Sequence, residues 1–109
     1  MSFDVETGPS FDKQLKRLVK KYPSLRGEVA DLATEIGQVP TLDTSLGGTL
    51  YKIQLSIKSK RVGKSGGARV ITVVQFTETL VTLLAIYDKS ERATLSEAEL
   101  SALVAEINE

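Results

Sequence analysis

Two segments near the start of the chain carry apolar residues at helical spacing. Phe11, Leu15, Leu18, Val19 and Tyr22 predict one face of a helix that runs to about Lys21, with Ser10 placed to cap it. Pro23–Ser24 interrupts the pattern, and Ser24 is placed to cap a second helix. Leu25, Val29, Leu32, Ala33 and Ile36 mark its buried face, and Gly37 ends it. So short a break predicts a helical hairpin. Ahead of it, Phe3 to Val5 suits a short first strand; after it, Gln38 to Gly48 reads as loop.

The period then changes from helical to alternating. Tyr51, Ile53, Leu55 and Ile57 alternate with Lys52, Gln54, Ser56 and Lys58, which predicts a strand with one apolar and one polar face. Ala68 to Phe76 and Leu80 to Tyr87 are apolar at both alternating positions, as in strands covered on both sides. Thr77-Glu78-Thr79 is a tight connection, so these two strands should pair antiparallel. A final helix begins near Ser96. Ser96 and Glu99 have capping-box spacing, Leu95 can staple onto Leu100, and Leu100, Leu103, Val104 and Ile107 form the apolar face. The expected order is β-α-α-β-β-β-α. That is an α+β fold with a small antiparallel sheet of about four strands, an N-terminal helical hairpin and a C-terminal helix.

The chain has 109 residues and is about two-fifths apolar, which suits one domain over residues 1–109. There is no cysteine, hence no disulfide framework or thiolate site, and no histidine, hence no imidazole base. No carboxylate pair has a convincing metal spacing, and no metal or cofactor is expected. No apolar run reaches the ~20 residues of a membrane span. The N-terminus lacks the basic and apolar regions of a signal peptide, so a cytoplasmic location is expected.

Charge distribution says more than total charge, which is zero. Thr44 to Thr77 contains no acid but holds Lys52, Lys58, Lys60, Arg61, Lys64 and Arg69. A second acid-free stretch holds Lys13, Lys16, Arg17, Lys20, Lys21 and Arg26, whereas the C-terminus sets five glutamates against Arg92. The hairpin loop from Lys58 to Arg69 joins these cations to Gly63, Gly66 and Gly67, which allow close backbone approach. Such a loop suits the phosphate backbone of RNA. A hairpin tip that is basic for solubility alone has the same composition. Gly63-Lys64-Ser65 lacks the upstream glycine of a phosphate-binding loop and precedes a strand, which excludes that motif. Lys52 and Arg69, on adjacent strands, are placed to converge on one phosphate. An edge strand also carries lysine simply to deter pairing. Tyr87 can stack on a base or serve as core, and Lys89 follows at the strand end.

Taken together, Tyr51-Lys52-Ile53-Gln54-Leu55, the Lys/Gly-rich loop, Gly66-Gly67-Ala68-Arg69-Val70-Ile71 and Leu84-Ala85-Ile86-Tyr87-Asp88-Lys89-Ser90-Glu91 resemble the RelE/HigB group of bacterial type II toxins. The resemblance implies a ribosome-dependent messenger RNA endonuclease, metal-independent, in which a ribose 2′-oxygen attacks the adjacent phosphate. It implies Lys52 as general base, Arg69 as stabiliser of the phosphorane, Lys89 as acid or second clamp, and Tyr87 as a stacking or positioning residue. Gln54, Lys58, Lys60, Arg61 and Lys64 would hold RNA. The implied partners are a cognate antitoxin, the ribosome and messenger RNA, with no membrane and no small-molecule cofactor. Gln54 stands where the family usually has a second cation. Two other readings stay open: a ParE-like toxin that inhibits gyrase by binding it, and a member that binds antitoxin or RNA without cutting.

Overall fold

The computed structural model describes residues 2–60 and 66–108. Its elements are β1 (Asp4–Thr7), α1 (Pro9–Lys21), α2 (Leu25–Gln38), β2 (Thr44–Gly47), β3 (Leu50–Leu55), a 3-10 turn (Lys58–Lys60), β4 (Ala68–Gln75), β5 (Leu80–Asp88) and α3 (Glu97–Ile107). The α+β order is the expected one, with one strand more. The five strands lie in the order β1-β5-β4-β3-β2. All neighbours are antiparallel except β1, which runs parallel to β5.

The added strand, β2, corrects the reading of Gln38 to Gly48 as loop. All four of its residues are exposed, so it has no apolar alternation to announce it. It exists through backbone pairing with β3, after a turn in which Gly47 and Gly48 both take positive φ. The start of α1 is also corrected. Gly8 is the N-cap and Pro9 the first helical residue, where a missing N–H costs nothing. Ser10 lies inside the helix, and its N–H and hydroxyl donate to the two carboxylate oxygens of Glu106 on α3, at 2.9 and 2.8 Å. Gly37 is within α2, which continues one residue to Gln38. Its carbonyl accepts the Phe3 N–H at 2.8 Å, tying β1 to the end of the hairpin. Ser96 and Glu99 form the expected capping box at the start of α3.

Apolar residues sort into two layers. Phe11, Leu18, Leu25, Leu32 and Ile36 of the helical hairpin pack on Ile53, Val70, Val74, Val81, Leu83 and Ile86 of the sheet. On the other face, α3 presents Leu100, Leu103, Val104 and Ile107 to Ile71, Val73, Leu84, Ala85 and Tyr87. A bulge in β5 decides which residue belongs where. Ile71 pairs with Ala85 and Thr72 with Leu83, so Leu84 is an extra residue. The consecutive Leu84 and Ala85 therefore both join the α3 layer. Before the bulge, odd-numbered Val81 and Leu83 face the hairpin; after it, Ile86 does.

Candidate nucleic-acid interface

The bulge also decides the composition of the α3 face. Gln54, Arg69 and Tyr87 are cross-strand partners in one row of β3, β4 and β5, and Lys52, Ile71 and Ala85 form the next row. Strand alternation puts Lys52 beside Gln54 on the face that carries Tyr87. Arg69 is then the diagonal neighbour of Lys52, a separation of about 7–8 Å. The sheet thus has an apolar half under α3 and a polar half toward the exposed edge formed by β2.

Exposure differs sharply among these groups. Lys52 and Gln54 are half-buried. Arg69 is 3% exposed, and its Nη1 donates to the Ala68 carbonyl at 3.1 Å. Tyr87 is 5% exposed. Its hydroxyl is buried and makes no well-formed hydrogen bond among the described residues. Burial pushes its phenol above the ordinary value, while the nearby positive charges of Arg69 and Arg92 act the other way. A cavity of about 240 Å³ adjoins the ring, lined also by Ser10, Arg92, Glu99 and Glu106. Across it Arg92 pairs with Glu99 at 2.7 Å, and that guanidinium, then the Ser96 N–H, hold the Glu99 carboxyl down to about 2.

The end of the sheet nearest this row is held by a buried carboxylate. Asp88 partners Ala68 and so faces the helical hairpin, the opposite side from Tyr87. It is fully buried. Burial, the largest single influence, disfavours its charge. Lys60, Tyr22 and Ser90 together outweigh it and keep the carboxyl well below the usual carboxylate range. Lys60 Nζ donates to Asp88 Oδ1 at 2.6 Å and to the Gly66 carbonyl at 2.9 Å. The Tyr22 hydroxyl donates to Oδ2 at 2.7 Å, and the Ser90 N–H and hydroxyl donate to Oδ1 at 2.9 and 2.7 Å. One side chain thereby joins α1, the two ends of the basic loop and the turn after β5.

The same end is pinned at the 3-10 turn. Ser24 and Ser59 exchange reciprocal hydrogen bonds, each N–H donating to the other hydroxyl at 3.0 and 2.9 Å. The Lys58 N–H donates to Glu28 Oε2 at 2.7 Å. Gly67 passes so close to β3 that a Cβ there would overlap the Leu55 carbonyl oxygen. Its own carbonyl accepts the Lys89 N–H at 3.0 Å.

The structure therefore brings Lys52, Gln54, Arg69 and Tyr87 onto one face, with Lys89 exposed in the turn at its end. Lys58 is exposed on the 3-10 turn. Lys60 is a different case from the solvent-facing cation expected of a loop residue. Its side chain is 17% exposed and its charge is engaged by Asp88. Arg61 and Lys64, with Gly63, lie outside the described residues. Sequence reasoning missed Asp88 and Tyr22. A signal was available in Asp88-Lys89-Ser90, an acid followed two places on by serine at a strand end, which favours an Asx turn.

Among the described residues no cluster of three His, Cys, Asp or Glu side chains can hold a metal ion, and no helix is long and apolar enough to cross a membrane. Residues 12–107 match the family described as the RelE toxin of the RelE/RelB toxin–antitoxin system. No curated protein sequence matches the chain. Two solved structures share the fold. One is E. coli toxin RelE in the free state with two arginines replaced by alanine, 18% identical, with a TM-score of 0.58 over 97% of this chain and 94% of that one. The other is the isolated E. coli RelE toxin, 19% identical, with a TM-score of 0.56 over 96% of this chain and 98% of that one. With the family matched over nearly all of its length, the chain belongs to the RelE toxins of RelE/RelB toxin–antitoxin systems.

Proposed function

We propose that this toxin is an endoribonuclease that cuts messenger RNA on the ribosome, and that the Lys52–Arg69 face of the sheet is where it does so. The observation that carries the reading is the register: it sets Lys52 diagonal to Arg69, with Gln54 and Tyr87 in the same row as the arginine. Lys52, as the neutral amine, accepts the proton of a ribose 2′-hydroxyl. The 2′-oxygen then bonds to the adjacent phosphorus and the bond to the 5′-oxygen breaks. Lys89 gives that oxygen its proton, leaving a cyclic phosphate and a 5′-hydroxyl. Arg69 holds the charge that builds on the phosphorane oxygens, a task suited to a forked guanidinium. Gln54 and Lys58 bind the RNA strand, joined by Arg61 and Lys64 of the loop. The cognate antitoxin, the ribosome and messenger RNA are the partners, in the cytoplasm.

Ribosomes programmed with a defined transcript, followed by primer extension, test this. Arg69→Ala should lower cleavage about 10²–10³-fold and Lys52→Ala about 10²-fold. Full cleavage by Arg69→Ala sinks the assignment. A second reading, binding without cutting, draws on the 3% exposure of Arg69 and on Gln54 in place of a cation. Ribosome binding with intact transcripts at every protein concentration would select it. Intact transcripts with DNA damage in expressing cells would select the gyrase reading.

A further inference from the structure

A second cavity lies on the opposite side of β3 from Lys52. It is a groove of about 850 Å³ between α2 and the β2–β3 edge. Leu32, Leu42, Ile53 and Leu55 form an apolar floor, and Val39, 47% exposed, stands at one end. Glu28, Asp31, Glu35 and Asp43 line it against one cation, Lys58. Glu28 is already satisfied by Ser24 and the Lys58 N–H. Asp31 and Glu35 are exposed and stand at i and i+4 of α2, a like-charge pair that an incoming cation would relieve.

We infer that this groove is a docking site for a helical, basic amphipathic segment of a protein partner, with apolar side chains on the floor and Lys or Arg against Asp31 and Glu35. Charge complementarity chooses the occupant. The acids repel a nucleic-acid backbone, and the apolar floor calls for side chains that water does not satisfy. The local backbone chooses the form. A partner strand cannot pair with β3 along this groove, because β2 covers Leu50 to Lys52 and the Asp43 carboxylate accepts the Gln54 N–H at 2.9 Å. Gln54 is shared: it lines the groove and stands in the row of Arg69. A segment seated in the groove is therefore one strand's width from the proposed cutting face. Insofar as this partner is the neutralising antitoxin, the inference rests on the toxin reading.

The probe is a synthetic helical peptide with leucines at i, i+3, i+4 and i+7 flanked by lysines, titrated into the isotopically labelled full chain. Its glutamate counterpart is the control. The lysine peptide should shift the amide resonances of Leu32, Val39, Leu42 and Gln54, and the control should not. Asp31→Lys/Glu35→Lys should weaken binding about tenfold or more. Val39→Asp should weaken it without touching those two acids. All three positions are exposed, so an unchanged melting temperature confirms folding. Equal binding of the two peptides, shifts confined to the Lys52 face or α1, indifference to charge reversal, or self-association through the groove each overturn the inference. In cells, the charge-reversed toxin should arrest growth as before yet escape the antitoxin encoded with it. If the unaltered chain never arrests growth, the toxin reading fails while the peptide result stands.

Discussion

The two faces of this sheet are built from the same strands and do different work. The face toward the helical hairpin is covered by two helices except along the β3 edge, where the groove beside α2 opens, and its residues are apolar along most of each strand. The face toward α3 is apolar for half its width and polar for the rest, where Lys52, Gln54 and Arg69 replace the aliphatic residues. Position along the β3–β4 pair thus matters as much as face. Toward Leu50 and Val73 the α3 side is core; toward Gln54 and Arg69 it is a candidate RNA surface. A fold this small gives up part of one layer to polar side chains and relies on the other for stability.

That contrast can be broken by substitution. Leu18 is fully buried in the helical-hairpin layer, so Leu18→Ala should cost about 3–4 kcal/mol, seen as a lower denaturation midpoint. Stability unchanged by that substitution would mean that this layer is not where the fold is held. Asp88→Asn tests the seam between the faces. It leaves Lys60 without its counter-charge and should cost about 2–3 kcal/mol. The sign of the pH effect follows from a carboxyl held low in the folded state. The unfolded chain binds more protons between that depressed value and the ordinary one near ~4, so stability is present above pH ~4 and lost on acidification below it. Asp88→Asn should flatten this acid limb in urea titrations at stepped pH; an unaltered limb would assign it to other carboxylates. Smallest is Tyr87→Phe. The buried hydroxyl lacks a well-formed partner, so its loss should change stability by less than ~0.5 kcal/mol. A larger loss would mean that the hydroxyl is bonded after all. With stability unchanged, any fall in RNA cleavage belongs to the hydroxyl rather than to folding.

Strong periodicity made most of the fold legible. The helical hairpin, the three central strands and the capped α3 follow from apolar spacing and from Ser96-Glu99, because in each the local pattern and the tertiary burial agree. β2 was invisible because it buries nothing. The cap of α1 was misplaced by two residues because Gly8-Pro9 sets the helix start by backbone geometry while Ser10 answers to Glu106, 96 residues away. The pairing of Lys52 with the neighbourhood of Arg69 was readable, since one hairpin register fixes both. The role of Lys60 was not. Its neighbours in sequence are loop cations, but its partner is a carboxylate from β5 that must be brought to it by the fold.

The extra residue Leu84 gives β5 a property that bears on how relatives are compared. The pairs on either side of it, Thr72 with Leu83 and Ile71 with Ala85, are consecutive on β4, so a chain shortened by Leu84 would lose the bulge and still keep Tyr87 toward α3 and Asp88 toward the helical hairpin. Tyr22 and Lys60 would keep their common acceptor, and the arginine row would keep its aromatic end. A one-residue gap at Leu84 in an alignment therefore marks a lost bulge and one apolar residue fewer under α3, not an exchange of inner and outer surfaces. Family members with one residue fewer there should present the same side chains on each face, on a strand with less local twist.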